Sequence, residues 1–261
     1  MNNPKISIIT ISYNNKVDIE DTIKSIVNQK YLNKEYLIID GGSKDGTLNI
    51  INNYCDKIDY FVSEPDRGIS DAFNKGIKAA TGDYIVLINA GDMLTKDALQ
   101  DFADEYQSGY DVIKGNTIRW NPNTNFSSVE KPVTYYSKIP FNFLICHQST
   151  YISKVAYEKI GGYNVKLKIV MDFDMMLRLT NVGMKFYHVD KNLAIFRMGG
   201  LSQQSKKVRI KEMKFCMENN GRNMLQTFIF TSYVRTRTII RNLLDRINPD
   251  LKNIIITNKI K

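Results

Sequence analysis

The stretch KISIITISYNN, residues 5–15, decides how the rest of the chain is read. From Lys5 to Tyr13 it is β-branched and apolar without polar alternation, the pattern of a strand buried on both faces. Asn14 and Asn15 end it. Working outward, Val17 to Gln29 places Ile19, Ile23, Ile26 and Val27 at helical spacing. Tyr36 to Ile39 predicts a second strand, stopped at Asp40-Gly41-Gly42, and Asp45-Gly46-Thr47 opens another helix. Tyr60 to Val62 predicts a third strand, Ile69 to Ala80 a helix closed by Thr81-Gly82, and Tyr84 to Ile88 a fourth strand stopped at Asn89-Ala90-Gly91-Asp92. Strand and helix alternate, and parallel βαβ units satisfy that order most economically. Ligands of such sheets bind outside the carboxyl ends of the strands. Asp40, Asp66 and Asp92 all fall at that edge.

After residue 110 the pattern loosens. Residues 119–142 are polar, contain proline and hold the single tryptophan, Trp120, so an irregular excursion over the surface is expected. Ser153–Ile160 and Asp172–Leu179 predict helices, and residues 193–202 (LAIFRMGGLS) a strand running into a Gly-Gly turn.

The chain has 261 residues, 43% hydrophobic and 24% charged, which suits one large α/β domain or two tightly joined halves and excludes a disordered chain. Its formal charge of +9 is local. After residue 202 there are 13 Lys and Arg against 4 Asp and Glu, and the preceding residues balance at 23 of each sign. A neutral body without a recognised module excludes a nucleic-acid partner and leaves the basic surface appended to the chemistry. Cys55, Cys146 and Cys216 lack metal spacing and read as idle thiols in a reducing compartment. The N-terminus runs directly into a strand, and no stretch reaches the roughly 18 apolar residues of a spanning helix, so a cytoplasmic location is expected.

Five segments in order, SIITISYNN, IIDGGSKDGT, SEPDRGISDAFNKGI, GDYIVLINAGD and IVMDFDMMLRL, carry a resemblance over roughly residues 4–202. Together they resemble family 2 glycosyltransferases with the GT-A fold, particularly those that build bacterial surface polysaccharides. The resemblance implies an α/β fold with a mostly parallel Rossmann-like sheet flanked by helices. Residues 1–100 would form the half that binds a nucleoside-diphosphate sugar and 101–202 an acceptor-side half. It also implies transfer of a sugar, with UDP as expected carrier, to an acceptor hydroxyl with inversion. The acceptor would be a saccharide or a lipid-linked saccharide.

On the same ground, Thr10, Ser12, Tyr13, Asp40, Asp66, Arg67, Ala90 and Gly91 are expected around the donor nucleotide. Carboxylates suit a base N–H and ribose hydroxyls, and Arg67 offsets phosphate charge; Asp40 and Asp66 equally suit turns and helix caps. Asn89-Ala90-Gly91-Asp92 stands where the family carries its Asp-any-Asp metal motif. Ala90 holds the first position, so Asp92 is the single carboxylate left for Mn²⁺ or Mg²⁺, on a loop expected at the surface. Gly41 replaces an acidic residue common in the family. Asp172 is expected as the general base at a helix N-terminus, where a negative charge is favoured, with Asp174 as its supporting carboxylate. His147 and Gln148 resemble a segment lining the acceptor side. His188 reads as structural, Gly161-Gly162-Tyr163 as a turn shaping the cleft, and Gly199-Gly200-Leu201-Ser202 as a segment over the diphosphate.

Residues 203–261 lie beyond the resemblance. Their basic and apolar residues at helical spacing suit helices lying on an anionic membrane surface, or alternatively packed on the core or against a second copy in a homodimer. A dehydrogenase shares the α/β start, but the first strand leads into Ser12-Tyr13-Asn14-Asn15 with no Gly-rich turn. A non-catalytic sugar-nucleotide-binding protein is separated from an enzyme only by turnover.

Overall fold

The structure is a computed structural model that describes residues 3–132, 146–199 and 206–247. The opening strand, β1 (Ile6–Ser12), is buried along its whole length. It lies parallel between β2 (Lys34–Asp40) and β4 (Tyr84–Asn89), and β3 (Tyr60–Ser63) extends the parallel set beyond β2. Period-two alternation splits the strands between two core layers. Ile9, Ile11, Leu37, Ile39, Ile85 and Leu87 face one layer; Ile6, Ile8, Ile38, Val86 and Ile88 face the other. Each such side chain contributes about 1.5–3 kcal/mol by leaving water. The first layer is covered by α3 (Ile69–Ala79), α5 (Lys154–Ile160) and α6 (Met171–Asn181), the second by α1 (Ile19–Val27), α2 (Thr47–Asn52) and α4 (Ala98–Asp104). A Cβ on Gly76 of α3 would lie 2.4 Å from Ile9 Cγ2, so glycine sets how closely α3 meets the sheet.

The second half of the sheet mixes directions. The strands β5 (Met93–Leu94), β6 (Val112–Asn121), β8 (Thr150–Ser153) and β9 (Phe186–Arg197) complete the order β3-β2-β1-β4-β8-β6-β9-β5. Within it β8 is antiparallel to both neighbours, while β6 and β9 run parallel. Residues 119–130 are not irregular, as their composition suggests. They form a hairpin of β6 with β7 (Phe126–Glu130), pinned by an Arg119–Glu130 pair at 3.0 Å and by Trp120 Nε1 donating to Asn125 Oδ1. The strand FSSVE is too polar to announce itself, and pairing to β6 supplies what its propensity lacks. Residues 133–142 lie outside the described residues.

The basic segment is not a simple appendage. Helix α7 (Lys206–Asn219) and the first half of α8 (Met224–Ile247) bury Met213, Cys216, Met217, Phe230 and Val234 in the layer that holds α6. Phe230 stacks on Phe173 with 5.3 Å between centroids. Of the alternatives for this segment, packing on the core holds for these two stretches.

Candidate active site

The register places Ser12 beside Asp40, Asp40 beside Ser63 and Ile11 beside Asn89, so the carboxyl ends of β1–β4 form one ledge. Tyr13 stands on it 65% exposed, an aromatic face open to a flat ligand. Gly41 makes room for its neighbours: a Cβ there would come within 2.5 Å of Asp66 Oδ2 and 3.2 Å of the Tyr13 ring. Asp66 thus fills the space of the side chain that Gly41 lacks, with its Oδ1 accepting from Gly68 N–H. Arg67 is exposed and paired with Asp71 at 2.9 Å, a contact that exchanges readily for a phosphate. Ser12 Oγ is buried without a hydrogen-bond partner.

Two of the expected donor contacts are placed elsewhere. Thr10 is wholly buried mid-strand on the face of Ile8, and its Oγ1 accepts from Tyr36 Oη at 3.1 Å. It lies two residues back from the end of β1, below the ledge. Asp40 is also wholly buried, with its oxygens accepting from Gly42 N–H, Ser43 N–H, Ser43 Oγ and Ser63 Oγ at 2.5–3.0 Å. This carboxylate holds the 41–43 loop and has no exposed oxygen for a base or ribose.

At the end of β4, Gly91 takes the left-handed backbone conformation (φ 102°) that glycine tolerates. Thr22 of α1 clamps the turn by accepting from Gly91 N–H and donating to the Asp92 carbonyl. The Ala90 carbonyl accepts from Asn15 Nδ2. Asp92 is not on a surface loop: it is 4% exposed, with Oδ2 accepting from Gln148 Nε2 at 2.6 Å and Oδ1 from Arg197 N–H at 2.9 Å. Burial pushes its carboxyl up from the usual range, against the pull of these donors. Arg197 stands over Trp120 and pairs with Asp18 at 2.9 Å, fixing a cation beside Gly91. The divalent cation that the fold family implies fits this donor set as a guest of one carboxylate. Each Asp92 oxygen keeps a second lone pair. Among the described residues no three His, Cys, Asp or Glu side chains converge. A bound diphosphate must supply most of the remaining ligands.

His147 and Gln148 lie in the 3-10 turn His147–Ser149 that leads into β8. Through them the two halves of the site meet. His147 Nδ1 lies 3.0 Å from Asp172 Oδ2, and Asp172 Oδ1 is buried without a hydrogen-bond partner. Burial depresses the imidazole pKa, but the Asp172 and Asp92 carboxylates more than reverse this, and it ends above its ordinary value. Asp172 sits in the first turn of α6. Asp174 is not its companion. Two residues along a helix is more than half a turn, and Asp174 instead pairs with Arg178 at 2.8 Å and accepts from Asn220 Nδ2. Arg178 in turn donates to the carbonyls of Ile160 and Gly162, and Asn74 of α3 clamps the same turn through both backbone groups of Tyr163. His188 is structural, its Nε2 3.2 Å from Asn116 Oδ1. Residues 200–202 of the Gly-Gly turn lie outside the described residues.

Over residues 7–167, more than half of the chain, the sequence matches the family described as Glycosyl transferase family 2. It is 30% identical over 183 residues to an uncharacterized glycosyltransferase of Mycobacterium tuberculosis (strain ATCC 25618 / H37Rv), covering 67% of this chain and 68% of that one. It is 27% identical over 229 residues to the chondroitin synthase of Escherichia coli, covering 85% of this chain and 33% of that longer protein. Among solved structures it resembles S. aureus TarS 1-349 in complex with UDP, with a TM-score of 0.68 at 17% identity over 94% of this chain and 75% of that one. It also resembles the mannosyltransferase PcManGT from Pyrobaculum calidifontis in complex with GDP-Man and Mn2+, with a TM-score of 0.62 at 14% identity over 88% of this chain and 68% of that one. The curled, mixed sheet flanked by helices is therefore the GT-A glycosyltransferase fold. With its sequence family and its fold in agreement, the chain belongs to glycosyltransferase family 2 and is a sugar-transferring enzyme.

Proposed function

We propose that this enzyme transfers a sugar from UDP to an acceptor hydroxyl by a single inverting displacement, in the assembly of a bacterial surface polysaccharide. The observation that carries the reading is the meeting of Asp172 with the Asp92 turn through His147, Asn89 and Gln148. The nucleotide lies on the ledge with Tyr13 against its base and Asp66 near its ribose. Its diphosphate runs toward Gly91, where Arg67 and Arg197 supply positive charge. Mn²⁺ or Mg²⁺ held by Asp92 and the diphosphate would stabilise charge on the leaving group. The Asp172 carboxylate accepts the proton of the acceptor hydroxyl as that oxygen bonds to the anomeric carbon and the bond to the diphosphate breaks. The acceptor is lipid-linked, and α8 holds the enzyme at an anionic leaflet. Among the described residues no helix is long and apolar enough to cross a membrane.

Two measurements test this. A thermal-shift panel of UDP, GDP and NAD, each with and without Mn²⁺, should give its largest shift with UDP plus Mn²⁺. Stabilisation by NAD alone would end the reading, and by GDP alone would change the carrier. Asp172→Asn should then lose about 10²–10⁴-fold in transfer while its UDP affinity stays within twofold. Equal losses in both would make Asp172 structural.

A further inference from the structure

Three side chains from separate elements form one file of hydrogen bonds: Asn89 at the end of β4, His147 in the turn before β8 and Asp172 in the first turn of α6. Asn89 Nδ2 lies 3.1 Å from His147 Nε2, and His147 Nδ1 lies 3.0 Å from Asp172 Oδ2. Phe73 packs edge-on against the imidazole with 5.4 Å between centroids, which fixes the ring plane. An amide nitrogen only donates, so Nε2 is the acceptor and the ring hydrogen sits on Nδ1, pointing at the carboxylate. That is the opposite of the tautomer free imidazole prefers in water. The other histidine differs: His188 presents Nε2 to Asn116 Oδ1, whose amide nitrogen is committed to Asp190, so His188 must carry its hydrogen on Nε2.

Leaving a buried acceptor unpaired is costly, yet Asp172 Oδ1 is left so. Its partner oxygen is held by His147, and the first turn of α6 fixes the backbone beneath it. We propose that His147 is a positioning residue for Asp172, with its ring hydrogen held on Nδ1 by Asn89. Pinning Oδ2 fixes the plane and position of the carboxylate that receives the acceptor proton. The inference rests on Asp172 being the base. It adds that the end of β4, the strand leading into the metal turn, sets the base's geometry through a tautomer. Gln148 does the parallel task for Asp92, so one short turn holds both carboxylates.

Asparagine and glutamine separate the two ring nitrogens, because the amide of asparagine overlays Nδ1 and that of glutamine overlays Nε2. His147→Asn keeps an N–H for Asp172 and should retain kcat within about threefold. His147→Gln keeps only the Asn89 side and should lose about 10–100-fold in kcat, with KM for the UDP-sugar and UDP affinity unchanged. In an Asp172→Asn background the two variants should be equal, since residues acting as a unit are not additive. Equal losses for His147→Asn and His147→Gln, or an undiminished His147→Gln effect in that background, would overturn the proposal. A direct reading needs no substrate. With ¹⁵N-histidine the intact chain has two ring systems, and at a pH where both are neutral one should be the Nδ1–H tautomer and the other Nε2–H. Two Nε2–H rings would overturn the proposal even if neither variant folds. Full transfer by Asp172→Asn alongside an Nδ1–H His147 would instead remove the base reading and leave the hydrogen-bond file standing.

Discussion

Asp40 and Asp92 are both buried carboxylates at the carboxyl edge of the sheet, and their partners set their roles apart. Asp40 accepts from two amides and two hydroxyls, three on Oδ2 and one on Oδ1, which makes it the knot of the 41–43 loop. Asp40→Ala should therefore cost several kcal/mol of stability, since four donors lose their acceptor at about 1 kcal/mol each. A urea melt checks this; an unchanged midpoint would return Asp40 to ligand binding. Asp92 accepts from Gln148 and from Arg197 N–H, one on each oxygen. Its raised pKa means that water alone solvates its charge poorly and that a cation would be welcome. In Asp92→Asn the Gln148 amide turns to accept instead of donate, so the fold should hold. Transfer stimulated by Mn²⁺ should fall by about 100-fold or more, because several kcal/mol of charge stabilisation is lost. Wild-type transfer by that variant in excess EDTA would remove the metal from Asp92.

Helix α6 carries Asp172 but has no side-chain cap of its own at Val170. The segment that leads into it is held from α7, where Glu212 accepts from the N–H groups of Lys168, Ile169 and Val170 at 2.9–3.1 Å. Glu212→Ala should cost about 2 kcal/mol, as three amides lose a charged acceptor. It should also lower kcat without changing UDP affinity, although Glu212 lies in the basic tail. At the opposite edge of the sheet, Glu35 ties β2 to the turn before β4. Burial opposes its charge, but Ser7, Thr81 and Lys5 bond the carboxylate, and its pKa falls to about 2. A depressed carboxylate stabilises the fold above its unfolded pKa and loses that contribution as pH falls through the folded one. Glu35→Gln should thus cost about 3 kcal/mol at pH 7 and nothing by about pH 2, with the loss concentrated between about pH 4.5 and 2. A destabilisation that is the same at both ends would make the contact one of packing. The strands β1–β4 could be read from KISIITISY and YIVLI because parallel strands covered on both faces must be apolar throughout. That same uniformity concealed how deep in the strand Thr10 lies. The place of Asp172 in the first turn of a helix was legible from its segment. Asp174 was misread because adjacency in sequence is separation on a helix. Asn89, Arg197 and Glu212 gave no pattern at all, since each matters through a partner more than forty residues away.

At the scale of the molecule, the charge arithmetic and the packing pull the C-terminal region in two directions. All of the excess +9 lies after residue 202, yet α7 and the first half of α8 are part of the core beneath α6. Removing everything after residue 202 should therefore destroy the site by uncovering Phe173 and freeing the Asp172 turn. Only the second half of α8 is separable. Past Val234 its Ile239, Ile240 and Leu243 are each more than half exposed, and Arg235 and Arg237 are exposed beside them. Apolar and basic residues together on a protruding helix suit an anionic leaflet, where each Lys or Arg adds about 1 kcal/mol that salt screens. Arg235→Glu with Arg237→Glu removes about 2 kcal/mol of that attraction and adds repulsion, so binding to vesicles containing anionic lipid should weaken at least about thirtyfold at low salt. Binding to neutral vesicles should change little. Transfer to a soluble saccharide acceptor should remain at the wild-type rate, because neither arginine reaches the core that holds α6. Transfer to the same acceptor on a lipid anchor in anionic vesicles should fall with binding. Loss of soluble transfer would mean that this half of α8 supports the site. Unchanged vesicle binding at low and high salt alike, with a shift in sedimentation of the double variant, would assign the exposed face to a second copy of the chain.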